Sequence, residues 1–500
     1  MSRSSSPDSA AESGPTSTVL RAENGDVIRA DETGLLMRLS DRVLDDIADR
    51  LLARGFAPAG LDANAVSGSQ GEDPEEYLPE GVDAWSVVRE GGWTRFTANM
   101  GDKTGTRDYI CKSRTDAIIA DTPTPLLGIL AIGGPRASLA AQRSSHFRHH
   151  IVAPGDDIGA VGMFGEEPAQ PVDTLHLLRE VTHEALVAEA LLHDALSRHD
   201  ALPLYFVRAE TDGSTNASAL ADGLAYDNLE QAAGNLKRCA EALGKRSKLI
   251  GVFLDFALED VLSTPIEYRD AMLGLMDKIT RRFAAEGIPD PRFMSFFECG
   301  TQDLVDDATL EGQWELSWNN AGHNLVIVAP SYMLALDPEG RLPAQSLALR
   351  AAVSAEALTF DQSLGHWYCP TLHLADRDGD TIRVTAQCHG KLVLDADDPF
   401  GSGPHFGFSL EGVPDGVDIA SVKIAEDDPK SVLITCTAPL TGPDAVLRYA
   451  SGRPASTEGA YPANCGALRD DFVPRLNHDE SAFDLALLRR WALPARLTVT

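Results

Sequence analysis

The chain carries 75 acidic against 43 basic side chains in 500 residues, a formal charge of −32, which argues against nucleic acid and against an anionic membrane surface as partners. A hydrophobic content of 43% with 24% charged residues is that of a globular chain able to bury a large core, and the length predicts roughly three domains. Seven dispersed cysteines with no C-x-x-C pair make neither a disulfide framework nor a zinc site, and they suit a reducing compartment.

Residues 1–18 are rich in Ser, Pro, Ala and Asp and read as a flexible tail that orders on a protein partner. The N-terminus shows no apolar signal core and the chain no 18-residue apolar run, so neither secretion nor membrane insertion is expected. Residues 19–120 read as an N-terminal arm or small α+β region. It opens with a hairpin, Val19 to Ile28, around Asn24-Gly25. Ser40 then caps a helix with Val43, Ile47, Leu51 and Leu52 on one face. Trp85, Trp93 and Phe96 suit a sugar platform or, the commoner case, anchors buried under loops.

Residues 121–362 alternate strands with helices. Apolar runs at Leu126–Ile132, Pro203–Arg208, Leu249–Phe256, Phe293–Glu298 and Asn324–Ala329 predict buried strands. Helical periodicity marks 172–199, Leu224–Leu243 and Tyr268–Ala285. The alternation predicts an α/β fold with a doubly wound parallel sheet. Beyond about 365, short strands at 382–387, 391–394, 406–410, 419–424 and 431–437 predict a β-sandwich of jelly-roll or immunoglobulin-like type over 363–475. Residues 476–500 complete the chain with a short amphipathic helix, Ala482–Trp491, and a tail.

The strand ending Gly133-Gly134-Pro135, the stretch Gly251-Val252-Phe253-Leu254-Asp255-Phe256-Ala257 and the later Tyr332-Met333-Leu334-Ala335 follow one another in an order and spacing that resembles the SGNH hydrolases, in particular the sialate O-acetylesterase-like carbohydrate esterases. The resemblance covers roughly residues 125–470 and implies a flavodoxin-like core followed by an accessory β-domain. Leu447-Arg448-Tyr449-Ala450 and Asn464-Cys465-Gly466-Ala467-Leu468-Arg469-Asp470 look like that β-domain's closing segments.

The family's motifs are altered at each reactive position. Pro135 falls where the family has its nucleophilic serine. Gly213 holds the place of the loop glycine whose N–H faces the oxyanion. Asp255 lies where a Trp-x-Gln-Gly-Glu segment would complete the oxyanion hole. Tyr332 and Ala335 stand at the Asp and His of the family's Asp-x-x-His. A nucleophile needs an adjacent base, and the base needs a third group to orient it. Losing members of such a set removes several powers of ten in rate.

The expectation is therefore a non-catalytic structural or carbohydrate-recognition protein with no cofactor. It would bind a glycan surface and assemble as an oligomer or within a larger particle, such as a virion head spike, decoration or tail-fibre-like component. The alternative is an active carbohydrate O-acetylesterase with a rearranged site that uses Ser138 or Ser214. Ser138 otherwise reads as a helix-start serine capping backbone N–H groups.

No metal is expected. His146, His149 and His150 read as a polar loop, and His176, Glu180 and His183 as a solvated helix face at i, i+4 and i+7. Asp376 to Asp380 reads as an Asp-Gly hairpin turn rather than a calcium loop. The sequon Asn216-Ala217-Ser218 has no expected route to glycosylation.

Overall fold

The structure, a computed structural model, describes residues 17–22, 25–31, 34–37 and 74–500, apart from 302–306, 321, 443 and 455–458. Two compact units divide at Glu72 and Asp73. In the first, Ser17–Ala22, Gly25–Asp31 and Gly34–Met37 form an antiparallel sheet, and the expected hairpin is its first pair. The helix expected after Ser40 and most of the expected tail lie outside the described residues.

The second unit opens with an antiparallel sheet, Ala84–Glu90, Trp93–Asn99, Thr106–Cys111 and Ile119–Ala120. Phe96, Tyr109, Cys111 and Ile118 form its small core. Of the three aromatics read as anchors, Phe96 is buried, Trp93 is half-buried and Trp85 is 45% exposed. Trp85 lies beside an irregularity in the pairing of Ala84–Glu90, between Trp85 and Val88, which breaks the alternation that would have turned it inward.

The centre is a seven-stranded sheet. Five parallel strands, Leu126–Gly133, Leu204–Thr211, Ser247–Asp255, Phe293–Phe297 and Leu325–Pro330, lie in the spatial order second, first, third, fourth, fifth. That order is one of the doubly wound arrangements. Ile151–Pro154 extends the sheet in parallel beside Leu204–Thr211, and Leu175–Leu177 closes that edge antiparallel. The strands are near-continuous apolar runs because both sheet faces are covered. Gly128 faces Leu236 of the helix Leu224–Ala242, where a Cβ would collide with the leucine side chain. Phe253 meets the ring of His183, which opens the helix His183–Ser197, and Gly251 faces Leu358 of the helix Ala344–Ser363. Local signals fix the helix starts. Thr264 and Glu267 form a reciprocal capping box ahead of Pro265–Ala285, with proline at its first turn.

The helix expected over 172–199 begins only at His183. Thr182 caps it, and Leu175–Leu177 is drawn into the sheet instead. His176, Glu180 and His183 therefore share no helical face. His176 lies 3.8 Å from Asp157, the Glu180 carboxylate accepts the Ala160 N–H at 3.2 Å, and His183 is buried. The polar loop expected at 146–150 is also corrected. His149 and His150 are buried, their Nδ1 atoms bonded to the carbonyls of Ile118 (2.8 Å) and Pro203 (3.1 Å).

The C-terminal third is β-rich. Thr371–Asp378, Thr381–Gln387, Ser431–Cys436 and Ile419–Ile424 make one antiparallel sheet, Phe408–Glu411, Val446–Tyr449 and Ala495–Thr498 a second, and Leu392–Leu394 with Leu468–Asp470 a third. The turn at 379–380 is the expected hairpin, with Gly379 at φ +64°. The final helix expected at Ala482–Trp491 is reduced to one 3-10 turn, Leu485–Leu487. Packing overrides the periodicity there: the fully buried Trp491 ring sits against Phe400, and Ala495–Thr498 pairs into a sheet. Among the described residues no helix is long and apolar enough to cross a membrane. All seven cysteines are buried free thiols.

Candidate functional site

In an open parallel sheet, the ligand crevice lies outside the carboxyl ends of the strands where the strand order reverses. Here that point falls between the first strand, ending at Gly133, and the third, ending at Asp255. The first strand stays hydrogen-bonded to both of its neighbours up to this edge. The Gly134 N–H donates to the Asp255 carbonyl at 3.2 Å, and the Asp212 N–H donates to the Gly133 carbonyl at 3.3 Å. A Cβ at Gly133 would collide with the Asp255 carbonyl, and one at Gly134 with the side chain of Glu259. The Asp255 backbone makes Gly133 obligatory, whereas the Glu259 side chain can move away from a Cβ at position 134.

Ion pairs line this end of the sheet. Arg136 Nη2 lies 2.9 Å from Glu298 Oε2 at the end of the fourth strand. Arg350, from the long helix Ala344–Ser363, reaches Asp255 Oδ2 at 2.9 Å and lies over the ring of Phe296. Burial opposes ionisation of Asp255, but Arg350 and then Arg136 outweigh it and hold the carboxyl below its usual range. Burial raises Glu259 despite Arg136 nearby. Glu184, beside His183, is pushed up to about 7 by burial, against opposing hydrogen bonds and Arg350. Guanidinium groups stay protonated and carry no lone pair for a base. The two arginines hold charge in place and supply no base.

Pro135, Gly213 and Asp255 do come to one edge of the sheet. Pro135 opens the short 3-10 turn Pro135–Ser138 and is exposed. Ser138 does not cap N–H groups, because Gly134 occupies the cap position. Its hydroxyl instead donates to the Pro135 carbonyl at 2.6 Å. Gly213 packs against the Phe164 ring, and the Ser214 N–H donates to Asp212 Oδ1 at 2.8 Å. Tyr332 is fully buried in the turn after the fifth strand. Its hydroxyl lies 2.7 Å from the Ala492 carbonyl and 3.2 Å from the Tyr449 hydroxyl, bonding the core to the β-rich third. Ala335 offers only its carbonyl, to Ser346 Oγ at 2.7 Å.

One serine–histidine contact occurs among the described residues, and sequence reasoning missed it. Ser354 Oγ lies 3.2 Å from His183 Nε2. Ser354 is 0% exposed and His183 3%. The Ser354 hydroxyl also lies 2.8 Å from the Arg350 carbonyl; when its proton points there, Nε2–H donates to Ser354 Oγ. His183 Nδ1 is then a buried acceptor with no partner. Burial and the positive Arg350 hold the imidazole well below its ordinary pKa. In that tautomer the histidine donates to the serine where a general base would accept, and among the described residues no carboxylate is bonded to its Nδ1. Arg136 and Arg350 were missed as well. The available signal was a charged residue in an otherwise apolar context, after Gly-Gly-Pro and inside an alanine-rich helix.

No family model matches the chain, and no curated protein matches it. Solved structures similar to it include a carbohydrate acetylesterase from Xanthomonas citri, at 13% identity over 82% of this chain and 85% of that one, with a TM-score of 0.47. A protein from Arabidopsis thaliana is similar at 14% identity over 47% and 98%, with a TM-score of 0.33. A tail fibre protein from a phage of E. coli is similar at 13% identity over 84% and 48%, with a TM-score of 0.28.

Proposed function

We propose that this protein is a non-catalytic carbohydrate-recognition or structural protein built on an SGNH esterase-like frame. The observation that carries the reading is the crevice between Gly133 and Asp255. It is lined by the Arg136–Glu298 and Arg350–Asp255 pairs, where the chemistry would need a hydroxyl and a base. Function follows from the site rather than from the frame, and among the described residues no hydroxyl–imidazole pair stands at this site. In its structural form the proposal puts the chain in a virion particle, docked through residues 1–18. The test is acetate release from acetylated xylan by folded protein. A rate equal to the buffer control is expected, and turnover above it overturns the reading.

A second reading, an active O-acetylesterase with a rearranged site, draws on the Ser354–His183 contact. Its weakness is the enclosure of both side chains and the lack, among the described residues, of a carboxylate bonded to His183 Nδ1. Ser354→Ala separates the two readings, because only the second expects it to change acetate release.

A further inference from the structure

We infer that Trp318 and the strand beside it form a binding platform for the pyranose face of a neutral polysaccharide, away from the crevice. This inference rests on the carbohydrate-recognition reading and gives it a place on the molecule.

Helical spacing starts the argument. Trp314 and Trp318 are four residues apart in the helix Asp307–Trp318, so they share a face. Their rings stand 5.4 Å apart, edge to face. Trp314 is half-buried and donates its indole N–H to the Leu372 carbonyl at 3.3 Å, which ties the helix to the strand Thr371–Asp378. Trp318 is 45% exposed, and its ring lies 6.2 Å from that of His373 at nearly a right angle.

The strand is altered at this place. Leu372 pairs with Ala386, and Leu374 with Thr385, so His373 is an extra residue in the ladder. A regular strand would turn neighbouring side chains to opposite faces. With the bulge, Leu372 and Ala375 both stay buried, while His373 is half-exposed and Leu374 is 58% exposed. Bulges re-aim side chains in this way next to functional sites. The result is an indole close to an imidazole, with the exposed Leu374 next to it in the chain and the exposed Gln387 on the paired strand.

The size of the patch selects its occupant. A stable protein interface buries about 800 Å² on each partner. The exposed parts of Trp318 and Leu374 come to roughly 200 Å², the scale of one sugar ring. The C–H face of a pyranose stacks on an indole, and its edge hydroxyls meet imidazole and amide donors and acceptors. The net charge of −32 favours a neutral polymer over an acidic one.

The experiment is native affinity electrophoresis of the full chain in gels containing xylan, glucomannan, galactan or mixed-linkage β-glucan. At least one polysaccharide should retard the wild type. Trp318→Ala should weaken that retardation at least tenfold, with partial rescue by Trp318→Phe. Trp85→Ala, which removes an indole of equal exposure on another sheet, should leave it unchanged. Retardation that survives Trp318→Ala, or falls equally in Trp85→Ala, overturns this platform and leaves carbohydrate recognition standing. No retardation of the wild type in any gel overturns recognition itself.

Discussion

Asp255, the last residue of the third strand, lies 2.9 Å from the guanidinium of Arg350, a residue 95 positions later in the chain. Both side chains are almost enclosed. A buried pair of this kind adds little net stability, but breaking it strands a charge. Arg350→Ala should therefore cost about 3–5 kcal/mol, read as a lower urea midpoint at unchanged slope. Asp255→Leu combined with Arg350→Met should cost less than Arg350→Ala alone. A double variant that is worse than the single one would show that the pair stabilises the fold outright.

Restoring a hydroxyl should not restore chemistry. Pro135→Ser places a serine at the position that the proposed resemblance assigns to the nucleophile, yet among the described residues no imidazole is bonded to the turn Pro135–Ser138. Its hydrolysis of p-nitrophenyl acetate should equal that of the wild type. A burst of p-nitrophenol in the variant would mean that a base stands closer than the structure puts it.

Glu184 sets a pH dependence. Its carboxyl ionises only near pH 7 in the folded chain, chiefly because it is buried, against an ordinary value near 4.5. The folded state thus holds a proton that the unfolded chain has released. This contribution to stability is complete below pH 4.5 and is lost as pH rises through about 7. Glu184→Gln removes the dependence, so the stability of the variant relative to the wild type should rise by up to about 3 kcal/mol between about pH 4.5 and about pH 8. Urea midpoints measured side by side across that range check this. A constant difference would mean that Glu184 is ionised throughout.

The parts of the fold that rest on local pattern were legible in the chain. The apolar run at 126–132 is a central strand extending to Gly133, and alternation placed Ile419–Ile424 at its observed ends. Thr182 is the local signal that splits the periodic stretch 172–199, since its side chain caps the helix there. The ion pairs at the crevice could not be read in this way. Arg136 finds Glu298 across 162 residues, a pairing that spacing along the chain does not encode. The bulge at His373 is equally silent, because it appears only in the register against Ala386 and Thr385.

Ser354 is a structural hydroxyl in this account. Ser354→Ala removes its bonds to the Arg350 carbonyl and to His183, leaving the imidazole without a partner. The expected cost is about 1–3 kcal/mol, with acetate release unchanged.

The most direct test of the proposed non-catalytic reading is labelling of the folded chain with a fluorophosphonate, followed by intact mass measurement. The reagent forms a stable adduct only with a serine activated by a neighbouring base. The expected spectrum is that of unmodified protein after prolonged exposure. A stoichiometric single adduct, whether it maps to Ser354, Ser138 or Ser214, would contradict the account.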